Sequence, residues 1–358
     1  MKKRILTLTL AFALLLSICA LFAACGEKTP AQTGTPSQTG TPSTTAPVKT
    51  TVLRASTPTA PDHAWTLGLK KIADDIYERT GGRYKIDVYP NASLSENNEK
   101  TMTEQIFTGT LDMGVSPASL CSPIFSAFSV PFLFEDREHI ARVCDSDIAK
   151  EMLGTLEEKG MHAIAYVENG FRQITNNIRE IRTPADTKGI KMRTPQSSTT
   201  IATMEAIGFN AVAISAGELY VALSQGTADG QENALSTIYN NKYYEVQKYL
   251  TIINYNWSPA LIGINSELWE SFSDEDKAIF EEVIKDAAAY VNELIASQDE
   301  ELIEKLKEAG MQVYVCTKDD IELFKKAVNT DNVKKEFEKS VGEDLLTRFL
   351  QTVEDTRK

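Results

Sequence analysis

The sequence predicts an α/β fold divided into two lobes. Strand and helix patterns alternate from residue 51 to 115, and a second alternating set begins near residue 161. Between and after them stand turn residues that close each element, and about 300 residues are enough to bury a large core.

The chain opens on Met1-Lys2-Lys3-Arg4, a basic start, and residues 5–24 are almost wholly apolar, ending in small residues before Cys25. That is the pattern of a secretory leader rather than of fold. The run is long enough to span a bilayer. Leu21-Phe22-Ala23-Ala24-Cys25-Gly26, however, resembles a bacterial lipobox, in which the cysteine is lipidated and becomes the first mature residue. Phe22 stands where that pattern usually has an aliphatic residue. Residues 1–24 are therefore read as a lipoprotein signal peptide and Cys25 as the lipidation site. A diacylglyceryl group supplies the two acyl chains that stable anchoring requires. The expected location is extracytoplasmic, with the chain lipid-anchored to the outer face of the cell membrane.

Residues 25–50 are rich in Thr, Pro and Ser and repeat the hexapeptide Gln32-Thr33-Gly34-Thr35-Pro36-Ser37 directly as Gln38-Thr39-Gly40-Thr41-Pro42-Ser43. With nothing apolar to bury, such a segment is expected to be a disordered tether. Its root-mean-square reach would be roughly 25–30 Å.

From residue 51 the elements follow in order. Residues 51–56 read as a strand and 62–79 as a helix stopped by Gly81-Gly82; 84–89 alternate as a strand. A helix over about 96–108 leads to Gly109, and 111–115 is again strand. In the second set, 162–167 and 172–175 read as two strands, 190–193 as a third, and 197–207 as a helix. Residues 209–213 are a strand and 217–225 a helix. Ser273-Asp274-Glu275-Asp276 is an N-cap signal for a very long helix running toward Gly310. Ligands of open α/β sheets bind beyond the carboxyl ends of strands, so the gap between the lobes is the expected site.

Composition narrows the chemistry. The formal net charge is −13 and becomes about −16 once Lys2, Lys3 and Arg4 are removed, which argues against nucleic acid as a partner. Cys121, Cys144 and Cys316 remain after the leader and Cys25, with no metal-ligand spacing, and are read as buried apolar residues that allow at most one disulfide. His63, His139 and His162 are the histidines, and no H-E-x-x-H, G-x-S-x-G, Walker A or G-x-G-x-x-G pattern occurs. No cofactor or metal is expected. A carboxylate-dependent hydrolase stays open as an alternative, but no spacing singles out an acid pair.

Three stretches are more specific. They are Asn169-Gly170-Phe171-Arg172-Gln173-Ile174-Thr175-Asn176, then Thr183-Pro184-Ala185-Asp186-Thr187-Lys188-Gly189-Ile190-Lys191-Met192-Arg193-Thr194-Pro195, and the run from Glu218-Leu219-Tyr220 to Asp229-Gly230-Gln231-Glu232-Asn233. In this order and spacing they resemble the DctP-type solute-binding proteins of TRAP transporters, and the resemblance extends from Leu53 to the C-terminus. It implies a two-lobed periplasmic-binding-protein-like fold with hinge strands and a long helix bracing both lobes. It places residues 51–169 plus about 258–298 in lobe I, and 170–257 plus about 299–358 in lobe II. It implies a monomer that closes around a small organic acid, of the sugar acid, uronate or C4-dicarboxylate type, and passes it to separate TRAP membrane permease subunits. A ligand-sensing lipoprotein of the same fold that feeds a membrane receptor is the nearest alternative, and neither role is enzymatic.

The resemblance also implies site residues. Ile190 and Met192 face one side of their strand and Lys191 and Arg193 the other, so Arg193 stands at the strand's carboxyl end, before Pro195. Its planar fork can hold a carboxylate by two parallel hydrogen bonds. Alone it would read as a surface ion-pair partner; in this motif it is the expected carboxylate clamp. Arg172 is expected as a second ligand contact, against a structural ion pair near the hinge. Asn233 is expected as an amide contact, against a helix N-cap. Glu99 and His63 stand where the first lobe often touches ligand, His63 serving equally well as a helix-start residue. Gln196 is a candidate for ligand hydroxyls. Phe209 and Trp257 are candidate apolar walls, with core packing as their ordinary role.

Overall fold

The computed structural model describes residues 49–357, so the expected leader, Cys25 and the tether up to residue 48 lie outside the described residues. Strand β1 (Thr51–Ser56) turns Leu53 and Ala55 inward and runs parallel to β2 (Tyr84–Tyr89) on one side and β3 (Met113–Pro117) on the other. Helix α1 (Ala64–Arg79) makes the first crossover, with Leu69, Ile72 and Ile76 on its inner face at helical spacing. Helix α2 (Glu99–Phe107) makes the second, capped by the Asn98 side chain, which accepts from the Thr101 amide at 3.0 Å. Short helices α3 (Ala118–Cys121), α4 (Arg137–Cys144) and α5 (Asp147–Gly154) follow.

The two strands expected at 162–167 and 172–175 are one strand, β4, from Met161 to Asn176. Polar Glu168 and Asn169 and the glycine after them interrupt the apolar alternation, which is why the sequence reads as two. The chain passes the interruption by a register shift and with Gly170 at φ 102°, a conformation that favours glycine. Before it, β4 pairs antiparallel with β9 (Trp257–Asn265). After it, β4 pairs with β7 (Gly230–Ala234) and β8 (Tyr249–Ile252). β4 thus joins a first sheet, ordered β2-β1-β3-β9-β4, to a second.

In the second sheet β5 (Lys191–Thr194) lies parallel to β7 and to β6 (Asn210–Ala213). Helix α6 (Ser198–Ile207) connects β5 to β6, α7 (Leu219–Ser224) precedes β7, and α8 (Leu235–Asn240) follows it. After β9 come α9 (Ser266–Glu270) and the long α10 (Asp274–Glu308), whose 35 residues span about 50 Å. Ser273 caps it as expected, accepting from the Asp276 amide at 3.1 Å. Phe280, Val283, Ile284, Val291 and Ile295 of α10 enter the core of the first sheet, and Leu302 and Leu306 enter a core of the second. One helix therefore braces both.

The C-terminal stretch, expected in lobe II as a whole, divides between the cores. Strand β10 (Gln312–Val315) extends β8, and Phe324 of α11 (Lys318–Val328) packs with Met192 and Phe209. Helices α12 (Asp331–Val341) and α13 (Glu343–Asp355) return Phe337, Leu346 and Phe349 to the core around Phe125, Phe128 and Met152. Among the described residues no helix is long and apolar enough to cross a membrane. Cys121 is buried, Cys144 and Cys316 are half-buried, and all three are free thiols.

Candidate functional site

The second sheet brings two arginines together by strand alternation. On β5 Met192 enters the apolar core, so Arg193 points to the other face. Arg193 is only 3% exposed, and its Nε donates to the Ile214 carbonyl at 2.8 Å. Among the described residues its two terminal nitrogens meet no hydrogen-bond acceptor and no carboxylate. Burial lowers its pKa; Glu232, at longer range, opposes the shift and Arg172 adds to it. A guanidinium stays protonated even so. The site therefore holds a buried positive charge without a bonded counter-ion.

Arg172, on β4 just beyond the Gly170 irregularity, has its partners already. Its Nε and Nη2 grip the carboxylate of fully buried Glu232, the Nη2···Oε1 distance being 2.8 Å. Nη2 also donates to the Glu232 carbonyl at 2.8 Å and to Asn233 Oδ1 at 3.0 Å. The Tyr255 hydroxyl donates to Glu232 Oε2 at 2.6 Å. Burial disfavours the Arg172 charge, but the Glu232 carboxylate outweighs it and raises its pKa above the usual arginine value.

Glu99, the first residue of α2, faces this pair from the other lobe. Burial pushes its carboxyl above the usual range, while Arg193 and then Arg172 pull it down. No ion pair within 4.0 Å joins Glu99 to either arginine, and no hydrogen bond to its carboxylate is made among the described residues. Tyr243, buried after a left-handed turn at Lys242, feels the same three charges. Arg193, Arg172, Glu99 and Asn233 are thus brought together, with Tyr243, Tyr255 and Glu232.

The other expected residues stand elsewhere or do other work. His63 caps α1, its Nδ1 accepting from the Trp65 amide at 3.2 Å, and Asp62 is the charge that acts on it. Gln196 is exposed just before the α6 cap, Ser197. Phe209 packs in the core with Met192, Met204 and Tyr255. Trp257 packs against Phe128 and Phe134, its indole N–H near the Glu168 carboxylate but outside hydrogen-bond geometry. Asn233 caps no helix, since Ala234 occupies the α8 cap; its Nδ2 donates to Gln231 Oε1 instead, at 2.5 Å.

That amide begins a buried polar chain. Gln231 Nε2 donates to Thr175 Oγ1 at 2.9 Å, and Thr175 donates to Gln247 Oε1 at 2.9 Å. Each member accepts on oxygen and donates onward, so Arg172 at the head fixes the orientation of every amide behind it. Buried side-chain polar atoms without a partner gather near the same strands: Thr194 Oγ1 beside Arg193, Ser236 Oγ in the first turn of α8, and Oδ1 of Asn256, a residue whose backbone carbonyl accepts from the Arg172 amide. Buried polar atoms are ordinarily paired, so this concentration marks a polar neighbourhood with unmet hydrogen-bonding capacity. Sequence reasoning missed Glu232, Tyr243 and Tyr255. Glu232 lay inside a quoted motif beside Asn233, and that was the only available signal.

The description of bacterial extracellular solute-binding protein, family 7 (DctP) matches residues 55–340. The 2,3-diketo-L-gulonate-binding periplasmic protein YiaO of Escherichia coli is 33% identical over 299 residues, 82% of this chain and 90% of its own length. A TRAP periplasmic solute binding protein from a Polaromonas species, bound to D-erythronate, is 30% identical with a TM-score of 0.77, covering 84% of this chain and 98% of that one. Another from Sulfurospirillum deleyianum, with bound succinate, is 26% identical with a TM-score of 0.76, covering 83% and 97%.

Proposed function

The chain belongs to bacterial extracellular solute-binding protein family 7, the DctP family, and from that premise we propose that it captures a small carboxylate between its lobes, with Arg193 as the clamp. The observation that carries this reading is the Arg193 guanidinium itself: buried, charged, and without an acidic partner on its terminal nitrogens. Leaving a charge in that state is costly, and a ligand carboxylate met by two parallel N–H donors would offset the cost. Arg172, already bonded to Glu232 and Asn233, serves to position those residues and to add positive potential. Asn233 and Tyr243 then bound the pocket on the second lobe and Glu99 on the first.

Binding, rather than covalent chemistry, is the proposed activity. Ligand contacts from both lobes favour the closed arrangement, a population shift that requires differential affinity. The proposed destination of the cargo is a TRAP permease, and lipidation at Cys25 with the tether after it would keep the receptor at the membrane face.

The test is a thermal-shift screen of the chain from about residue 51 onward against a panel of small organic acids. A ligand that binds only the folded state raises stability by about 2.7 kcal/mol at a hundredfold excess over Kd. The expected result is a rise in Tm with one or more carboxylates and none with their amides. A rise with neutral or cationic solutes instead would overturn the carboxylate reading.

A further inference from the structure

Three segments of the chain pass from one core to another near a single side chain. Strand β4 crosses between Val167 and Ile174, by way of the register shift between Glu168 and Phe171. Residues 255–257 cross from Tyr255, packed with Met192, to Trp257, packed with Phe128. Helix α10 crosses between Ile295, in the core of the first sheet, and Leu302, in a core of the second. We propose that Arg137, on α4, is the pin of these crossings: it holds the three segments together and so sets how freely the lobes move during capture. The consequence for capture rests on the ligand binding between the lobes; the pinning does not.

The contacts are direct for two of the segments. Arg137 Nε donates to both carboxylate oxygens of Glu168, at 2.9 and 3.0 Å, and its Nη2 donates to Asp299 Oδ2 at 2.6 Å. Its guanidinium carbon stands 5.7 Å from the centre of the Phe171 ring. One planar fork thus touches β4 on both sides of Gly170 and α10 at the same time. The third segment is tied through Phe171, which pairs in register with Trp257. The next amide along β4, that of Arg172, donates to the Asn256 carbonyl at 2.9 Å. A shift at the pin is therefore passed directly to the arginine that holds Glu232 and Asn233.

The two ends of the pin are fastened unequally. Glu168 is 4% exposed and is held by its backbone too: its amide donates to Asn292 Oδ1 at 2.7 Å, and its carbonyl accepts from Trp65 Nε1 at 2.7 Å. None of residues 296–301 is buried, so between its two cores α10 has no apolar anchor. Glu168 is the anchored end, and Asp299 is the end that depends on Arg137. Without the guanidinium, two carboxylates on different segments would lose their shared counter-ion, one of them buried, which is strongly unfavourable. An ammonium is a point charge, with no fork to reach Glu168, Asp299 and the Phe171 face together.

The test is hydrogen exchange, read by mass spectrometry on the purified protein with no acid added. Arg137→Lys should speed exchange about tenfold or more in residues 168–173, 254–258 and 296–301 together, with α1 and β5 keeping wild-type protection. Asp299→Asn, which weakens only the tie to α10, should speed exchange in residues 296–301 and leave 168–173 unchanged. Loosening of α4 alone, a uniform rise across both cores, or wild-type exchange in the three segments of Arg137→Lys would overturn the pin. Wild-type exchange over 296–301 in Asp299→Asn would overturn it independently, even if Arg137→Lys did not fold. Calorimetric titration with the panel acid that raises Tm most then reads the effect on capture. Binding should be about fivefold weaker in Arg137→Lys, since a looser hinge has more freedom to lose on closing. Unchanged affinity would overturn the role of Arg137 in capture. A wild type that binds no acid would sink the carboxylate reading instead, and the exchange result, obtained without acid, would still decide the pin.

Discussion

His63 shows how a residue with a plausible ligand-binding place can be explained by its own helix. Its Nδ1 caps α1, the ring is buried, and burial lowers its pKa from 6.5 to about 4 despite Asp62. A base with a depressed folded-state pKa binds its proton first in the unfolded chain. The stability that neutral His63 contributes is therefore fully present above about pH 6.5 and is lost as the pH falls toward 4, up to about 3 kcal/mol. His63→Asn keeps a strong N-cap acceptor and removes the titration. Urea unfolding at pH 7 and at pH 4.5 should show a smaller acid loss in the variant than in the wild type; equal losses would mean His63 does not titrate in this way.

Residue by residue, the site was legible where the chain's own periodicity fixed a direction. Arg193 follows from alternation with Ile190 and Met192 and from Pro195 after it, and it is buried on the face opposite the core. What sequence could not supply was partnership. Glu232 is 60 residues from Arg172, and Tyr255 is 23 from Glu232. Nothing local tells that the Arg172 side chain is already committed to them. Phe209 and Trp257 carry the same lesson in reverse, since an aromatic side chain fits a pocket wall and a core equally well by composition.

At the scale of the element, β4 decides the architecture. It leaves β9 and joins β7 and β8 at the register shift between Glu168 and Phe171, with Gly170 at φ 102°. A Cβ on Gly170 would lie 3.1 Å from the Ala234 Cβ, close to the arginine site. Gly170→Ala should cost about 1–3 kcal/mol, from an unfavourable backbone region and from that contact. A urea midpoint unchanged from wild type would mean the strand passes this point without needing glycine. The break in the apolar pattern is what split β4 into two strands in the sequence reading, because alternation reports which face is buried, not whether the ladder continues through a polar stretch. The elements with strong punctuation, α1 after His63 and α10 after Ser273, were legible to within two residues.

For the whole molecule, α10 and β4 tie two sheets and their cores together, and the charges of Arg193 and Arg172 reach Glu99 at the start of α2. The acidic composition is compatible with the proposed anionic ligand, because the potential that matters is the local one of the two neighbouring arginines. Alternating strand and helix patterns made the two-lobed α/β class readable. The division of the C-terminal helices was not, since amphipathic helices of similar length reveal a buried face but not which core receives it.

The most direct test of the carboxylate clamp is a calorimetric titration of wild type and Arg193→Ala with the strongest acid from the thermal-shift panel, both shown folded by circular dichroism. Truncating one partner of a buried charge pair should weaken binding by about 2–5 kcal/mol, roughly thirtyfold to several thousandfold. Arg193→Ala binding its acid within threefold of wild type would mean that the carboxylate is held elsewhere.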